Sequence, residues 1–213
     1  MNFIKSSDDR WYNYRQVKNN KLIVFDIGNV LLRFSKDRAR RNFERIEPGS
    51  GVPLVRAMWE SRLGVDLERG RLTGRDFLRK VPVRMGYRAF AEAFRDIFTP
   101  LRQNLRLLEH LSKTHDTALL SNTSDIHWPY LFKTYPALKS ARWKFGSHRL
   151  KLMKPDPRVY RILSRKTGYD FQDIVYVDDH PDFVRAAQRL GIRGVCYDGK
   201  VPLKTLFARE GVR

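Results

Sequence analysis

Residues 21–30 read KLIVFDIGNV, in which a short apolar run from Leu22 to Phe25 stops on a single carboxylate, Asp26. A continuous apolar run of this length suits a strand covered on both faces, and such strands belong to parallel sheets flanked by helices. The same signal returns at Thr117–Ser121 (TALLS), Ile174–Asp179 (IVYVDD) and Arg193–Tyr197 (RGVCY), and more weakly at Arg142–Gly146 (RWKFG). Helical stripes lie between these runs. Leu105, Leu108 and Leu111 share one face of a segment over 101–111. Val159, Ile162, Leu163 and Lys166 recur at helical spacing over 157–167, with Asp156 as N-cap, Pro157 at the first helical position and Gly168 at the exit. A further helix is expected over 182–190, ended by Gly191.

The alternation of strand and helix predicts an α/β, doubly wound, Rossmann-like parallel sheet whose ligand crevice lies at the carboxyl ends of its strands. Residues 35–100 break the alternation. They carry no strand signal, Phe90, Phe94, Ile97 and Phe98 fall on a helical stripe, and Thr73 with Asp76 resembles a capping box, so a helical insertion is expected there. The organisation is then a polar extension over 1–20, either loosely held or an edge decoration whose Trp11, Tyr12 and Tyr14 lie on the body, a core built from 21–34 and 101–213, and the inserted helices of 35–100 between them.

Composition narrows the function classes. Hydrophobic residues make up 42% of the 213 and aromatic residues 12%, enough to bury a core. With one cysteine, Cys196, no internal disulfide can form; that residue is expected to pack within a buried strand, and a reducing cytoplasm fits. No apolar run is long enough to span a bilayer, and the first twenty residues lack the apolar region of a signal peptide. Lys and Arg number 42 against 23 Asp and Glu, a formal charge of +19 that attracts anions. The basic residues are spread along the whole chain, which favours a generally arginine-rich surface over a dedicated nucleic-acid face, with steering of an anionic substrate as the remaining reading.

Strand ends carry the chemistry in such a sheet, and here they present Asp26, Ser121 and the pair Asp178 and Asp179. Carboxylates converging from separate strands repel one another unless a cation lies among them, and hard oxygen ligands around an open position suit Mg²⁺. Ser121, Asn122 and Thr123, read as the approach to a helix N-terminus, would cradle an anion. Lys154 could place an ammonium against both Asp26 and a phosphate. His127 and His180 follow two of these loops, and either could relay a proton, although capping or solvent-facing roles are the simpler reading. His110, His115 and His148 lack metal-ligand spacing. Trp59, Arg62, Arg69 and Arg71 in the insertion could meet a substrate, but so many arginines more simply describe a solvated face.

The segments VFDIGNVLL (24–32), LLSNTSD (119–125), KPDPRVY (154–160) and VYVDDHPD (175–182) resemble, in order and in role, the four motifs of the haloacid-dehalogenase-like (HAD) hydrolase superfamily, with the helical insertion where its C1 cap falls. More narrowly, FDIGNV, LSNT and the Asp pair look like the bacterial sugar-phosphate phosphatases typified by α-D-glucose-1-phosphate phosphatase. That resemblance implies a Mg²⁺-dependent phosphatase acting on a small phosphorylated substrate. Asp26 would be the nucleophile forming an aspartyl-phosphate, Ser121, Asn122 and Lys154 the phosphate-binding groups, and Asp26, Gly28 through its carbonyl, Asp178 and Asp179 the metal ligands. Two positions depart from the pattern. Gly28 stands where the superfamily usually has a second Asp serving as general acid and base, and Phe183 where many relatives carry a further acid or amide, which puts metal affinity in question. The missing acid is shared with 2-haloacid dehalogenases, an alternative reaction that needs no proton on the leaving halide. A HAD-derived chain that binds a phosphorylated or polyanionic partner without catalysis is the other alternative.

Overall fold

The structure is a computed structural model that describes residues 21–212, together with the backbone of Phe3–Lys5 and Trp11–Asn13. Those two short segments pair antiparallel, Ile4 opposite Tyr12, so a ladder stands within the stretch read as a loose extension. The side chains of Trp11 and Tyr12, and all of Tyr14, lie outside the described residues.

Five parallel strands form the central sheet, in the spatial order Trp143–Gly146, Asp116–Ser121, Leu22–Phe25, Ile174–Asp178, Arg193–Cys196. Register is continuous across the middle: Val24 pairs with Ala118 on one side and Tyr176 on the other. Strand residues alternate between two apolar clusters. Ile23, Phe25, Leu119, Val175 and Val177 face Leu105, Leu108 and Leu111 on helix Arg102–Thr114, along with Phe207. Leu22, Val24, Ala118, Leu120 and Tyr176 face Val159, Tyr160 and Leu163 on helix Pro157–Thr167. Both faces are therefore dry, which is why these strands read as unbroken apolar runs rather than alternating ones.

Helix boundaries follow local chemistry. Asp156 accepts from the Arg158 amide to open helix Pro157–Thr167, and Gly168 closes it at φ 76° in the left-handed region. Helix Pro181–Gln188 starts one residue before the expected position and is capped by the His180 side chain, which accepts from the Asp182 amide. The Arg193–Cys196 strand is an edge strand in which Val195 alone is buried, so Cys196 is exposed rather than packed in a core.

The insertion consists of helices Lys36–Ile46, Gly51–Trp59, Arg62–Glu68, Gly74–Arg79 and Tyr87–Arg95, with the Thr73–Asp76 capping box present. They share an apolar cluster of their own that includes Phe43, Leu54, Phe77, Phe90 and Phe94. The helix carrying Phe90 and Phe94 ends at Arg95. Ile97 and Phe98 lie beyond it, and Phe98–Pro100 forms a short strand antiparallel to Leu32–Phe34. This two-strand stem, absent from the sequence reading, connects the helices to the sheet. Three polar contacts fasten them to the core, one at the loop after the Asp116–Ser121 strand, one at the start of helix His127–Thr134 and one just after the Trp143–Gly146 strand. The Gly74 amide donates to the Asp125 carboxylate, His127 Nε2 lies 2.9 Å from the Phe94 carbonyl oxygen, and Ser147 Oγ donates to the Glu68 carbonyl at 2.6 Å. Among the described residues, no helix is long and apolar enough to cross a membrane.

Candidate active site

Three neighbouring strands end on the groups singled out in the sequence. Asp26 directly follows Leu22–Phe25, and its amide bonds the Val177 carbonyl at 2.9 Å; Asp178 ends the next strand, and Ser121 the one on the other side. A carboxylate oxygen from each of Asp26, Asp178 and Asp179 lies within 4.8 Å of the others. Lys154 completes the group from the loop before helix Pro157–Thr167. Its Nζ donates to Asp26 Oδ1 at 2.7 Å, Asp178 Oδ2 at 2.5 Å and the Leu120 carbonyl at 3.1 Å, with its side chain 1% exposed. The Tyr176 and Phe183 rings stand 5.7 and 5.2 Å from the ammonium. Phe183 thus covers Lys154.

The two acids of the pair have different surroundings. Asp178 is fully buried; its Oδ1 accepts from the His180 amide at 2.8 Å, and its Oδ2 accepts from Lys154 and from the Tyr176 hydroxyl. Asp179 lines the cavity and accepts from Asn29 Nδ2 at 2.9 Å. Asn29 adopts φ 51°, a left-handed conformation for which Asn is among the better suited non-glycine residues. That turn aims the amide across to Asp179 from 150 positions away in the chain. Asn29 was not singled out from the sequence, although an Asn directly after Gly28 in a turn is a usable signal.

Electrostatics show what the cluster lacks. Burial pushes the Asp26 carboxyl up to about 7, with Lys154 opposing the shift and Asp178 and Asp179 adding to it. Asp179 is raised by burial as well, with the Asn29 amide opposing. Burial also disfavours the charge on Lys154, but its two carboxylate partners outweigh that and hold its pKa above the ordinary value. One ammonium does not neutralise three acids, and a divalent cation bound by hard oxygens would remove the remaining repulsion. Asp26 and Asp179, with the Gly28 carbonyl between them in sequence, are the groups that could hold it. Asp178, engaged on both oxygens, could contribute only by sharing a lone pair.

The phosphate-cradle reading changes in detail. Helix His127–Thr134 begins several residues after Ser121, so Ser121, Asn122 and Thr123 form a loop rather than a helix N-terminus. Asn122 turns its amide onto Lys154: Nδ2 donates to the Lys154 carbonyl at 3.0 Å, and Oδ1 accepts from the Lys154 amide at 2.9 Å. Thr123 donates its amide to Ser147 Oγ. Ser121 is buried beside the cavity, its hydroxyl only loosely bonded to the Asn122 carbonyl at 3.3 Å.

A cavity of about 410 Å³ opens between the strand ends and the inserted helices. Asp26, Lys154 and Asp179 form its floor, and Phe34, Trp59 and Phe94 are among the residues of its wall. Of the four insertion residues considered from sequence, Trp59 lines this cavity; Arg62 and Arg71 instead flank Asp66 at 3.7 and 3.1 Å. His127 is neither a cap nor solvent-facing. It is buried beneath Phe94 and Phe98.

No family model matches the chain. Among curated proteins it is similar to drimenol cyclase drtB of Aspergillus calidoustus, with 23% identity over 207 residues covering 84% of this chain; it spans only 34% of that protein's length. Among solved structures it is similar to a HAD family enzyme from Bacteroides thetaiotaomicron in complex with magnesium and inorganic phosphate, with a TM-score of 0.78 at 23% identity over 88% of this chain and 98% of that one. A predicted HAD-like family hydrolase from Porphyromonas gingivalis superposes with a TM-score of 0.77 at 22% identity over 91% and 98%. The L-2-haloacid dehalogenase of Xanthobacter autotrophicus does so at 0.63 with 18% identity over 90% and 82%. The chain has the HAD-like fold.

Proposed function

We propose that this HAD-fold chain is a Mg²⁺-dependent phosphatase that hydrolyses a small phosphomonoester through an aspartyl-phosphate on Asp26. The observation that carries the reading is the convergence of Asp26, Asp178 and Asp179 oxygens within 4.8 Å, with the Lys154 ammonium bonded to two of them. The similar Bacteroides enzyme, solved with magnesium and inorganic phosphate, supports it.

In this reading Asp26, Asp179 and the Gly28 carbonyl hold Mg²⁺, whose charge lowers the cost of bringing a dianionic ester against carboxylates. Lys154 favours the ionised form of Asp26 against burial and neutralises charge on the transferring phosphoryl oxygens, while Asn122 fixes the Lys154 backbone. Asp26 attacks phosphorus in line with the leaving oxygen, and water then hydrolyses the acyl-phosphate. The inserted helices act as a cap, and an aromatic wall of their Trp59 and Phe94 with Phe34 of the stem offers an apolar face to the leaving group and excludes water. A sugar phosphate suits such a wall.

The absence of a carboxylate at Gly28 favours one other reaction, dehalogenation, in which the leaving halide needs no proton. Against it stands the Asp178–Asp179 pair, which adds repulsion to Asp26 that a metal-free carboxylate nucleophile does not need. A panel of sugar phosphates, nucleotides and 4-nitrophenyl phosphate, assayed with Mg²⁺ and with EDTA on wild type and Asp26→Asn, separates the two. Mg²⁺-dependent phosphate release lost in Asp26→Asn is the expected result, and EDTA-insensitive halide release from 2-haloacids would replace this reading with the other.

A further inference from the structure

An alkoxide leaving group needs a proton, and position 28 has no side chain to supply one. Three ionisable groups in the cavity wall could stand in: His127, His180 and Glu68. His127 has its Nε2 on the Phe94 carbonyl and is held between two rings, and burial pushes it down to about 4, so it carries no proton to donate from a free nitrogen near neutrality. His180 turns Nδ1 onto the Asp182 amide and stacks its ring on Phe183, the centroids 4.3 Å apart. Glu68 differs from both. Its carboxyl takes part in no hydrogen bond or ion pair among the described residues, yet its backbone is fixed. Ser147 Oγ bonds the Glu68 carbonyl at 2.6 Å and both the amide and the carbonyl of Thr123, at 2.9 and 3.0 Å. One hydroxyl therefore ties this residue of the inserted helices to the loop that follows Ser121.

We infer that Glu68 is the catalytic acid and base of this site, supplying from the inserted helices the proton that position 28 cannot; the inference rests on the phosphatase reading above. In the first displacement an Asp26 oxygen bonds to phosphorus as the bond from phosphorus to the leaving oxygen breaks. The electron pair of that bond goes to the leaving oxygen, which takes the Glu68 proton and departs as an alcohol. In the second, water attacks phosphorus and gives a proton to the Glu68 carboxylate. The bond from phosphorus to Asp26 breaks, its electrons return to the carboxylate, and inorganic phosphate leaves.

The electrostatics agree with this role. Glu68 is half-buried and lines the cavity, and burial pushes its carboxyl up to about 7 while Lys154 opposes the shift. The other ionisable groups lining the cavity are Asp26, Asp179, Lys36, His127 and His180, and of the charges around it Lys154 is the one that acts on Glu68. An acid of this strength holds its proton below neutrality and can still exchange it during turnover.

The test compares an alkyl phosphate such as a sugar phosphate with 4-nitrophenyl phosphate, whose leaving group needs no proton, using wild type, Glu68→Gln and His180→Gln with saturating Mg²⁺. Glu68→Gln is expected to lower kcat for the alkyl ester by about 10²–10⁴-fold. With the aryl ester it should keep the rapid burst of nitrophenolate, one equivalent per enzyme, and then stall as water attack slows. Gly28→Asp in the Glu68→Gln background should restore part of the alkyl activity, because a Cβ at position 28 meets its nearest atoms at an ordinary 3.6 Å. Wild type itself should lose alkyl turnover, but not the aryl burst, above about pH 7, a readout that does not depend on how the variant folds. Equal slowing of both esters, no slowing, or the same signature in His180→Gln would overturn the assignment. A wild type inert on both esters would instead remove the phosphatase reading, and the role of Glu68 with it.

Discussion

Lys154 Nζ lies 2.7 Å from Asp26 Oδ1, although 128 positions separate the two residues and both are buried. The same ammonium holds Asp178 at 2.5 Å, so one cation joins the ends of two adjacent strands before any metal is bound. Catalysis and stability therefore draw on the same contact.

Lys154→Met keeps most of the side-chain volume and removes the charge, leaving two buried carboxylates without their cation. The metal-free protein should lose about 3–5 kcal/mol of stability, part of it recovered by Mg²⁺, and turnover should vanish. Thermal unfolding with and without Mg²⁺ checks this; an unchanged midpoint would mean that the pair contributes nothing.

Asn29→Gly isolates the amide that holds Asp179, since glycine accepts the φ of 51° without strain. Weakening of Mg²⁺ binding by about 10–100-fold is expected, with little change in metal-free stability. Titration of the thermal midpoint with Mg²⁺ gives the affinity.

Removing the Asn122 amide by substitution with alanine leaves the Lys154 backbone N–H and C=O without their side-chain partner. A cost of about 1–3 kcal/mol is expected. Phosphate release should fall while its dependence on Mg²⁺ concentration stays as in wild type, because Lys154 and not the metal is displaced. A shift in the Mg²⁺ requirement would show that Asn122 acts on the metal instead.

His127 gives a pH dependence of stability. Burial lowers its folded pKa from 6.5 to about 4. The neutral ring's contribution is then fully present above pH 6.5 and is lost as the pH falls through about 4, amounting to as much as ~3 kcal/mol. Urea unfolding of wild type and His127→Gln across that window should show the wild type falling relative to the variant, and parallel curves would contradict the assignment.

The sheet was legible in the sequence because its three inner strands are dry on both faces, and helix Pro157–Thr167 because Asp156, Pro157 and Gly168 mark its ends. Asp26, Asp178 and Asp179 were legible from where strands stop, and Lys154 from its place just before the capped helix Pro157–Thr167. The stem of Leu32–Phe34 and Phe98–Pro100 was not, since three-residue strands that pair only with each other need no periodic apolar pattern. Cys196 was misread because nothing in Arg193–Tyr197 marks an edge strand. Glu68 sits among arginines in DLERGR, residues 66–71, and looks like one more solvated charge until Ser147 is seen to draw its backbone to the loop after Ser121.

Acid-quenching the enzyme during turnover and mapping phosphoryl groups by peptide mass spectrometry addresses the central claim most directly. A phosphoryl adduct confined to the peptide containing Asp26, formed only with Mg²⁺ and absent from Asp26→Asn, is the predicted result. Phosphate release that proceeds without such an adduct, or that survives Asp26→Asn, would contradict it.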